Sequence, residues 1–322
     1  MRANDRPRIL RRPVHGVLLL DKPHGLSSND ALQKAKRLLR AEKAGHTGTL
    51  DPLATGLLPL CFGAATKFSQ ASLDADKAYR ATLQLGRITS TGDAEGEVLQ
   101  VRPVELSRAQ LEAACNAFIG DLQQVPPMHS ALKHEGRALY TYARAGIEIE
   151  RAARAVTIHA IAIVEWRGDL LTLDVRCSKG TYVRTLAEDI GEALGCGAHL
   201  AALRRTGCGA LGVDAAYTLD ELAALDEPAR DALLLPADAL LADRPEVRLD
   251  EVDAGRFLCG LRRNIDAVDA ACVRVYGPAA AERGVGRRAF LGSAHIRGRE
   301  LIPNRLLSPL EVQGLLAAPA RP

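Results

Sequence analysis

Apolar and polar positions follow two different periods along the chain, and together they predict a mixture of strands and helices. The run GVLLLDKP, which begins at Gly16, is apolar up to a proline turn and predicts a buried strand. The segment SSNDALQKAKRLLRA then opens with residues that cap helices, and predicts a helix. From Tyr79, YRATLQLG alternates apolar and polar residues, which is typical of a half-buried antiparallel strand. Because strands and helices do not alternate regularly, the pattern predicts an α+β fold rather than a doubly wound one.

Two departures from this pattern divide the chain into regions. Residues 123–154 contain a Pro-Pro pair, a short helical stretch and five lysine or arginine residues, which indicates an excursion from the core. A helical, alanine- and leucine-rich stretch at 218–242 ends at DRPEV, and short strands with glycine breaks follow it. We therefore predict a basic tail over residues 1–13, a main domain over 14–245 and a small all-β domain over 246–322.

Composition and charge indicate a soluble globular protein. The chain has 322 residues, of which 47% are hydrophobic and 25% charged, so a folded core is expected. The apolar run GVLLL is too short to span a bilayer, and no apolar signal region precedes it, so we expect a cytoplasmic protein without membrane contact. The seven cysteines form no C-x-x-C pair, which argues against a disulfide framework or a zinc site.

The basic residues add a weak indication of a nucleic-acid partner. The net charge is only +3, but 34 of the 42 basic residues are arginine, whose planar guanidinium matches phosphate oxygens. A GC-rich genome produces the same arginine bias, so both explanations stay open.

The loop AGHTGTLDPLATG holds a single carboxylate, Asp51, among glycines and threonines. Asp51 precedes Pro52, so one interpretation is that it caps a short helix over DPLATGLLPL. The other is that it acts as a nucleophile, since the glycines let a ligand approach the backbone and His46 supplies a donor. The residues of the loop alone leave both interpretations open.

Three further side chains are candidates for a site. Tyr79 lies on the apolar face of its strand and is a core residue by default. Tyr182 and Arg184 lie in CSKGTYVRTLAEDIGEALG, at the first turn of a predicted helix, where free N–H groups favour an anionic or carbonyl-rich ligand. A solvated arginine and a half-buried tyrosine are the alternative there.

Two other strings resemble ligand-binding motifs, but the residues around them argue against such sites. The G-x-G-x-x-G string at Gly207 follows a predicted helical segment rather than a strand, so it predicts no dinucleotide site. STGDAEGE is interpreted as an acidic turn rather than a calcium loop.

Several longer segments, collinear over residues 14–220, closely resemble the TruB family, bacterial tRNA pseudouridine-55 synthases. They are GVLLLDKPHGLSSNDALQKAKRLL, AGHTGTLDPLATGLLPLCFGAATKFS, DKAYRATLQLG, PPMHSALKHEGRALYTYARAG and CSKGTYVRTLAEDIGEALGCGAHLAALRRTGCG. The later segment AFLGSAHIRGRELIPNRLL is similar, more weakly, to the family's PUA-like RNA-binding module. The resemblance implies a pseudouridine synthase fold: a mixed, mainly antiparallel sheet flanked by helices, a thumb insertion over 123–154, and a small β-rich PUA-like domain.

The resemblance also implies a reaction. Such an isomerase cleaves the N1 glycosidic bond of uridine 55 in the tRNA T-loop, rotates the uracil and rejoins it through C5, with no cofactor and no metal. Asp51 matches the family's essential aspartate, a nucleophile toward the base or the sugar carbon, and Arg184 matches the arginine that pairs with it and should hold it ionised. Tyr79 resembles the ring that stacks on the extruded base and is a candidate for moving a proton from the sugar. Tyr182 and Leu203 resemble further walls of the uracil pocket.

The resemblance also implies which residues contact the RNA. His46 matches the residue that wedges into the vacated base stack, and Lys22 is a further substrate-binding residue. The thumb is expected to close over the T arm, with Tyr140 and Arg144 on one helical face. His129 departs from the family, which commonly has tyrosine in the PPxYSA string, and this puts a detail of the thumb in doubt.

Two alternatives remain: a tRNA-folding protein with little catalysis, and a sister synthase that acts on other RNA with a guide RNA. The retained thumb and the short C-terminal module favour a monomer that acts on tRNA without a guide. We expect phosphate contacts from the thumb, the Arg204–Arg205 pair and the C-terminal domain. We also expect removal of residues 246–322 to weaken tRNA binding while leaving the chemical step intact.

Overall fold

The computed structural model describes residues 10–278 and 288–317. Parts of the predicted tail and C-terminal domain, residues 1–9, 279–287 and 318–322, lie outside the described residues. The strands are β1 (Gly16–Lys22), β2 (Ala44–His46), β3 (Thr55–Phe62), β4 (Lys77–Leu85), β5 (Arg87–Thr89), β6 (Val98–Val101), β7 (Gly120–Gln124), β8 (Lys133–His134), β9 (Arg137–Ala138), β10 (Arg154–Arg167), β11 (Leu170–Cys177), β12 (Ala198–Cys208), β13 (Leu211–Gly212), β14 (Glu246–Arg248), β15 (Arg263–Asn264), β16 (Ala270–Pro278), β17 (Arg288–Arg297) and β18 (Glu300–Leu306). The helices are α1 (Ser28–Leu38), α2 (Ser69–Asp74), α3 (Arg108–Ala117), α4 (Leu139–Ala143), α5 (Val183–Ala193), α6 (Leu219–Ala224), α7 (Glu227–Ala232), α8 (Glu251–Leu258) and α9 (Pro309–Ala317).

A large mixed sheet organises the first part of the chain. Its strand order is β1-β3-β12-β4-β11-β10-β7, with β2 added beside β3 and β13 beside β12. Neighbouring strands are antiparallel except β3 and β12, which are parallel. Helices α3 and α5 pack on the β4 side, and α1 and α6 pack near β1. The predicted α+β fold with a mainly antiparallel sheet is confirmed.

The locally encoded elements form where the sequence pattern places them. Helix α1 begins after Ser27, whose hydroxyl accepts from the Asp30 N–H. Helix α3 begins after Ser107, which forms a reciprocal capping box with Gln110. These caps satisfy backbone donors that the first helical turn leaves without a partner.

The prediction of a helix over DPLATGLLPL is wrong. Residues 51–54 form a turn, closed by the Ala54 N–H and the Asp51 carbonyl at 3.0 Å, and β3 begins directly after it. Pro52 fits the second position of such a turn. Gly56 has φ +97°, and a Cβ there would lie 2.3 Å from the Arg205 carbonyl oxygen. The close approach of β12 therefore keeps this segment extended, and Asp51 caps no helix.

The helical segment predicted before the glycine string at Gly207 is also wrong. The residues before it form β12, a strand rather than a helix. A short strand and a single helical turn follow it, not the long helix that a dinucleotide motif requires.

The thumb insertion leaves and re-enters the large sheet at one point. β7 ends at Gln124, and Gln124 is paired with Arg154, where β10 begins. Between them lie the hairpin β8–β9 and helix α4. The insertion is thus attached to the sheet by a single pair of neighbouring strands.

The C-terminal region forms a second sheet of strand order β14-β16-β17-β18-β15. It also contains helices α8 and α9, so the all-β prediction missed two helices. Phe257, Val275 and Phe290 of this region belong to the same buried cluster as Val17 and Phe68 of the first region.

Specific contacts join the two regions. The rings of Phe68 and Phe290 have centroids 5.1 Å apart. Lys67 Nζ donates to the Leu306 carbonyl at 2.9 Å and forms an ion pair with Glu311 at 2.5 Å. The two sheets therefore share one continuous core, although the second sheet begins near the predicted boundary.

Candidate active site

A pocket of about 390 Å³ lies where residues 48–51 meet β4, β12 and the start of α5. Five of the nine predicted site residues line it: Asp51, Tyr79, Tyr182, Arg184 and Leu203. A larger cleft of about 790 Å³ borders α1 and α6, but of the predicted residues only Lys22 is beside it. Volume alone therefore does not identify the site, and we assign it to the smaller pocket because the candidate chemical groups converge there.

The central interaction of the pocket is an ion pair between Asp51 and Arg184. Arg184 Nη2 lies 3.0 Å from Asp51 Oδ2. The Arg184 side chain is only 6% exposed, whereas that of Asp51 is 44% exposed. A buried guanidinium thus holds a carboxylate whose other side is open to a ligand.

Arg184 is itself held by two further segments. Its Nη1 lies 3.4 Å from Asp93 Oδ2 and donates to the Thr91 carbonyl at 3.2 Å. Its Nη2 also donates to the backbone carbonyl of His129, at the base of the thumb. The departure from tyrosine at position 129 leaves this bond intact, because it uses the backbone.

Sequence reasoning missed Asp93. This residue lies in STGDAEGE, which we interpreted only as an acidic turn. The Asp93 side chain is 5% exposed, and it accepts from the Thr91 hydroxyl at 2.6 Å. A buried carboxylate needs a charged or hydrogen-bonding partner, but a single sequence does not show that the partner is Arg184.

Opposing effects set the pKa of Asp51. Burial disfavours the charged carboxylate and raises its pKa above the ordinary value, and the negative charge of Asp93 acts in the same direction. Arg184, Lys22 and His129 lower the pKa, but less than the others raise it. The ion pair therefore offsets part of the burial effect rather than depressing the pKa below its usual range.

These opposing charges predict shifts in the pH dependence of activity. A carboxylate is nucleophilic only when ionised, so we expect activity to be lost as pH falls through the pKa of Asp51. Replacing Arg184 by glutamine removes a charge that lowers this pKa, so the acidic limb of the pH–rate profile should move to higher pH. The matched variant Asp93→Asn removes a charge that raises it, so the limb should move to lower pH. Single-turnover rates measured across acidic pH check both signs, and shifts in the same direction would contradict this account.

Both tyrosines of the pocket stay protonated over a wide pH range. Burial raises the pKa of Tyr79 and that of Tyr182, because a phenolate is disfavoured away from water. Tyr182 lies directly before α5, and its N–H donates to the Gln124 side chain at 3.0 Å. This bond ties the start of α5 to the strand from which the thumb departs.

The predicted phosphate contact at Arg204–Arg205 disagrees with the structure. Arg205 is 1% exposed, and its Nε donates to the Leu57 carbonyl at 2.7 Å. Arg204 forms a two-pronged ion pair with Asp21, at 2.9 and 2.7 Å. Consecutive strand residues point to opposite faces, so these two arginines cannot form one basic surface.

Four predicted residues lie outside the pocket lining. Lys22 is 0% exposed, and its Nζ donates to the carbonyls of Pro23 and Leu26. Burial lowers the pKa of Lys22 to about 8. The other three predicted residues outside the lining are His46, Tyr140 and Arg144. In this structure Lys22 has no surface with which to contact RNA directly, but its charge acts on Asp51.

His46 and the thumb residues occupy positions around the pocket. His46 ends β2, in the same loop as Asp51, and burial lowers its pKa, so its ring is neutral near neutral pH. Its buried Nδ1 has no hydrogen-bond partner within the described part of the chain. Arg144 directly follows α4, and its guanidinium lies over the ring of Tyr140 on that helix, 5.3 Å from the ring centroid; both side chains are exposed.

Comparison with known families agrees with this geometry. The model of the TruB family pseudouridylate synthase N-terminal domain matches residues 36–183, and that of the tRNA pseudouridylate synthase B C-terminal domain matches residues 184–242. The chain belongs to the TruB family. The resemblance inferred from the sequence segments is thereby confirmed, and the matched TruB region includes Asp51, Tyr79 and Arg184.

Individual relatives match over nearly the whole length of this chain and of their own. The tRNA pseudouridine synthase B of Burkholderia lata is 62% identical over 293 residues, which is 89% of this chain and 91% of that protein. The tRNA pseudouridine synthase B of Verminephrobacter eiseniae is 58% identical over 97% of this chain and 95% of that protein. The crystal structure of the archaeal box H/ACA sRNP Nop10–Cbf5 complex matches with a TM-score of 0.68 at 23% identity, covering 96% of this chain and 90% of that one, which shows a shared fold.

Residues 10–278 and 288–317 contain neither a membrane-spanning helix nor a cluster of metal ligands. No helix there combines the length and apolar character needed to cross a membrane. No group of three or more histidine, cysteine or acidic side chains there is arranged to hold a metal ion.

Proposed function

We propose that Asp51 is the nucleophile with which this tRNA pseudouridine synthase isomerises uridine 55 of the T-loop. The observation that supports this role is the ion pair with Arg184, because it points one carboxylate into a pocket walled by Tyr79, Tyr182 and Leu203. The nucleophile attacks either the base or the sugar carbon. In both cases the carboxylate must be ionised and held in a fixed direction.

The reaction needs one acid because it is an isomerisation. The C1′–N1 bond breaks, a C1′–C5 bond forms, the C5 hydrogen leaves as a proton, and N1 gains one. No water is added, so no second carboxylate is required to activate water, in contrast to glycoside hydrolysis. The pocket matches this requirement, since Asp51 is the one carboxylate among its lining residues.

The RNA must present an extruded base to reach Asp51. Flipping a nucleotide out of a folded loop costs roughly a few kcal/mol in lost stacking. In our proposal Tyr79 stacks on the flipped uracil, while Tyr182 and Leu203 enclose it. The thumb carries Tyr140 and Arg144, an exposed aromatic and cationic pair of the kind that contacts bases and phosphates, and it closes over the T arm.

The site also supports activity without a guide. The thumb that we expect to hold the T arm belongs to this chain, and its base contacts the catalytic arginine directly. We therefore propose a monomer that acts on tRNA without a guide RNA, in the cytoplasm where tRNA is found. The C-terminal sheet is proposed to be a PUA-like module that adds contacts to the tRNA.

The decisive experiment measures tritium release from tRNA labelled at C5 of its uridines. The wild-type chain should release one equivalent from tRNA with uridine 55, and none from a matched tRNA with cytidine at that position. No release, with tRNA binding intact, would favour an RNA-folding protein. Release that persists with cytidine 55 would favour a synthase with other targets.

His46 provides a separate test of base flipping. His46→Ala should slow single-turnover reaction on intact tRNA by about tenfold or more, because nothing fills the vacated stack, whose loss costs a few kcal/mol. A tRNA whose T-loop is already unstacked at the target should partly restore the rate. The Tyr79→Phe variant serves as the control and should show no such rescue. Failure of the unstacked substrate to rescue His46→Ala would place His46 in the chemistry instead.

A further inference from the structure

Arg205 is a buried cation to which the proposed mechanism assigns no role. It is the largest of the fully buried side chains, and among the described residues it forms no ion pair with a carboxylate. Its Nε donates to the Leu57 carbonyl at 2.7 Å, and Nη2 donates to the Gly48 carbonyl at 3.2 Å. Burying a charge without an opposite charge is costly, so this position requires an explanation beyond packing.

Tyr79 is the pocket residue closest to Arg205 in the sheet. The two lie directly opposite each other in the antiparallel β4–β12 pair, so their side chains project from the same face. Both line the pocket. Burial raises the pKa of Tyr79, and the positive charge of Arg205 acts in the opposite direction, which places the guanidinium near the hydroxyl.

The other cations near the pocket are committed elsewhere. Lys77 also lines the pocket, but its ammonium donates to the carbonyls of Ser72, Leu73 and Ala75, which uses all three of its hydrogens. Arg184 is engaged by Asp51 and Asp93. Arg205 has five N–H donors, of which the two carbonyls of Leu57 and Gly48 use two. Arg205 is therefore a cation of this pocket that both retains donors and lies opposite Tyr79 in the sheet.

We propose that Arg205 is a positioning residue for the isomerisation, which donates a hydrogen bond to the Tyr79 hydroxyl and so directs that hydroxyl's own hydrogen toward the base. The inference rests on the proposed function and adds a role for the Tyr79 hydroxyl to the stacking role of its ring. A guanidinium can only donate, so the tyrosine oxygen is the acceptor and its hydrogen must point away from Arg205. Negative charge that develops on this oxygen is stabilised by the adjacent guanidinium.

A double-mutant cycle tests whether Arg205 acts through the hydroxyl. Single-turnover rates at saturating enzyme are measured for wild type, Arg205→Gln, Tyr79→Phe and the double variant. Arg205→Gln should slow the wild-type reaction by about tenfold or more, but the Tyr79→Phe reaction by less than about twofold, which is the non-additivity of residues in contact. Arg205→Lys, which keeps a cation and donors, should restore part of the rate only when Tyr79 is present.

Other outcomes would overturn the inference. An equal loss in both backgrounds would mean that Arg205 acts only by holding the carbonyls of Leu57 and Gly48. Arg80→Gln is the control, because Arg80 follows Tyr79 on the opposite face of β4 and pairs with Asp174; it should leave every rate unchanged. A wild-type rate for Tyr79→Phe alone would also refute the inference, because the hydroxyl would then play no part, while the proposed stacking of the Tyr79 ring and the nucleophilic role of Asp51 would stand.

A second measurement keeps the test valid if the Arg205 variants do not fold. In protein labelled with ¹⁵N-arginine, a fully buried guanidinium gives slowly exchanging N–H signals. Tyr79→Phe removes the hydroxyl and should shift the signals of one such arginine, with no other buried arginine affected. Unchanged signals in Tyr79→Phe would show that the contact is absent, and the inference would fail whatever the rates.

Discussion

The Asp51→Asn variant is expected to bind tRNA normally and to form no detectable pseudouridine. An amide is nearly the same size as the carboxylate but has no negative charge, so it cannot act as the nucleophile and loses the ion pair with Arg184. Loss of a nucleophile commonly removes several orders of magnitude of rate. Tritium release in single-turnover reactions and a separate tRNA-binding titration measure the two properties independently.

The same substitution should leave folding almost unchanged. Asp51 caps no helix, its side chain is half exposed, and Arg184 keeps Asp93 as an ionic partner when Asp51 is replaced. We expect the free energy of unfolding of Asp51→Asn, and of Asp51→Ala, to stay within about 1 kcal/mol of wild type, as for other partly exposed ion pairs. Denaturant titrations check this. Turnover retained by Asp51→Asn would refute the assignment of the nucleophile.

Deletion of residues 246–322 is expected to prevent the remaining chain from folding stably. The sequence alone led us to expect an intact chemical step in such a fragment. The shared core changes this expectation, because the deletion would expose Val17, Phe68 and their buried neighbours to water. An apolar surface of this kind leads to aggregation or unfolding. Size-exclusion chromatography and thermal denaturation of the fragment test the prediction.

Phe290→Ala in the full-length chain is the matched milder change. It removes the ring that packs on Phe68 without removing the second sheet, and should lower the free energy of unfolding by about 3–5 kcal/mol, as for other buried aromatic residues. Both sheets should still unfold in a single transition. A monomeric fragment of residues 1–245 with the native single-turnover rate would show that the shared core is dispensable.

Short stretches of sequence were sufficient to predict those strands and helices whose hydrophobic pattern or capping residue lies within the element itself. The alternation after Tyr79 predicted β4, and the serine before α1 predicted its start. At Asp51 the local signals favoured the wrong element, because Asp-Pro begins both turns and helices. The outcome there depends on β3 pairing with β1 and β12, which no short window of sequence reveals.

The residues themselves made Asp51, Tyr79, Tyr182 and Arg184 candidates for a site, but their roles came from the family resemblance. The resemblance paired Asp51 with Arg184, and the structure brings them to 3.0 Å. Asp93 was missed as the second ionic partner of Arg184, and Arg205 was assigned to phosphate instead of the pocket, because the partners of both residues lie far away in the chain. Burial and charge pairing across strands give these two residues their importance, and both are properties of the fold.

The single attachment of the thumb has a consequence for how such proteins diverge. Gln124 and Arg154 are neighbours in the sheet, so the length of chain between them does not affect the strand register. Insertions or deletions beyond Leu132 can accumulate without disturbing the pocket, because the thumb residues that contact Arg184 or line the pocket, His129 and residues 130–132, come before that point. Selection can therefore remodel the RNA-facing segment after Leu132 while the chemistry stays constant, and chimaeras exchanged between Leu132 and Arg154 should keep a working catalytic pocket.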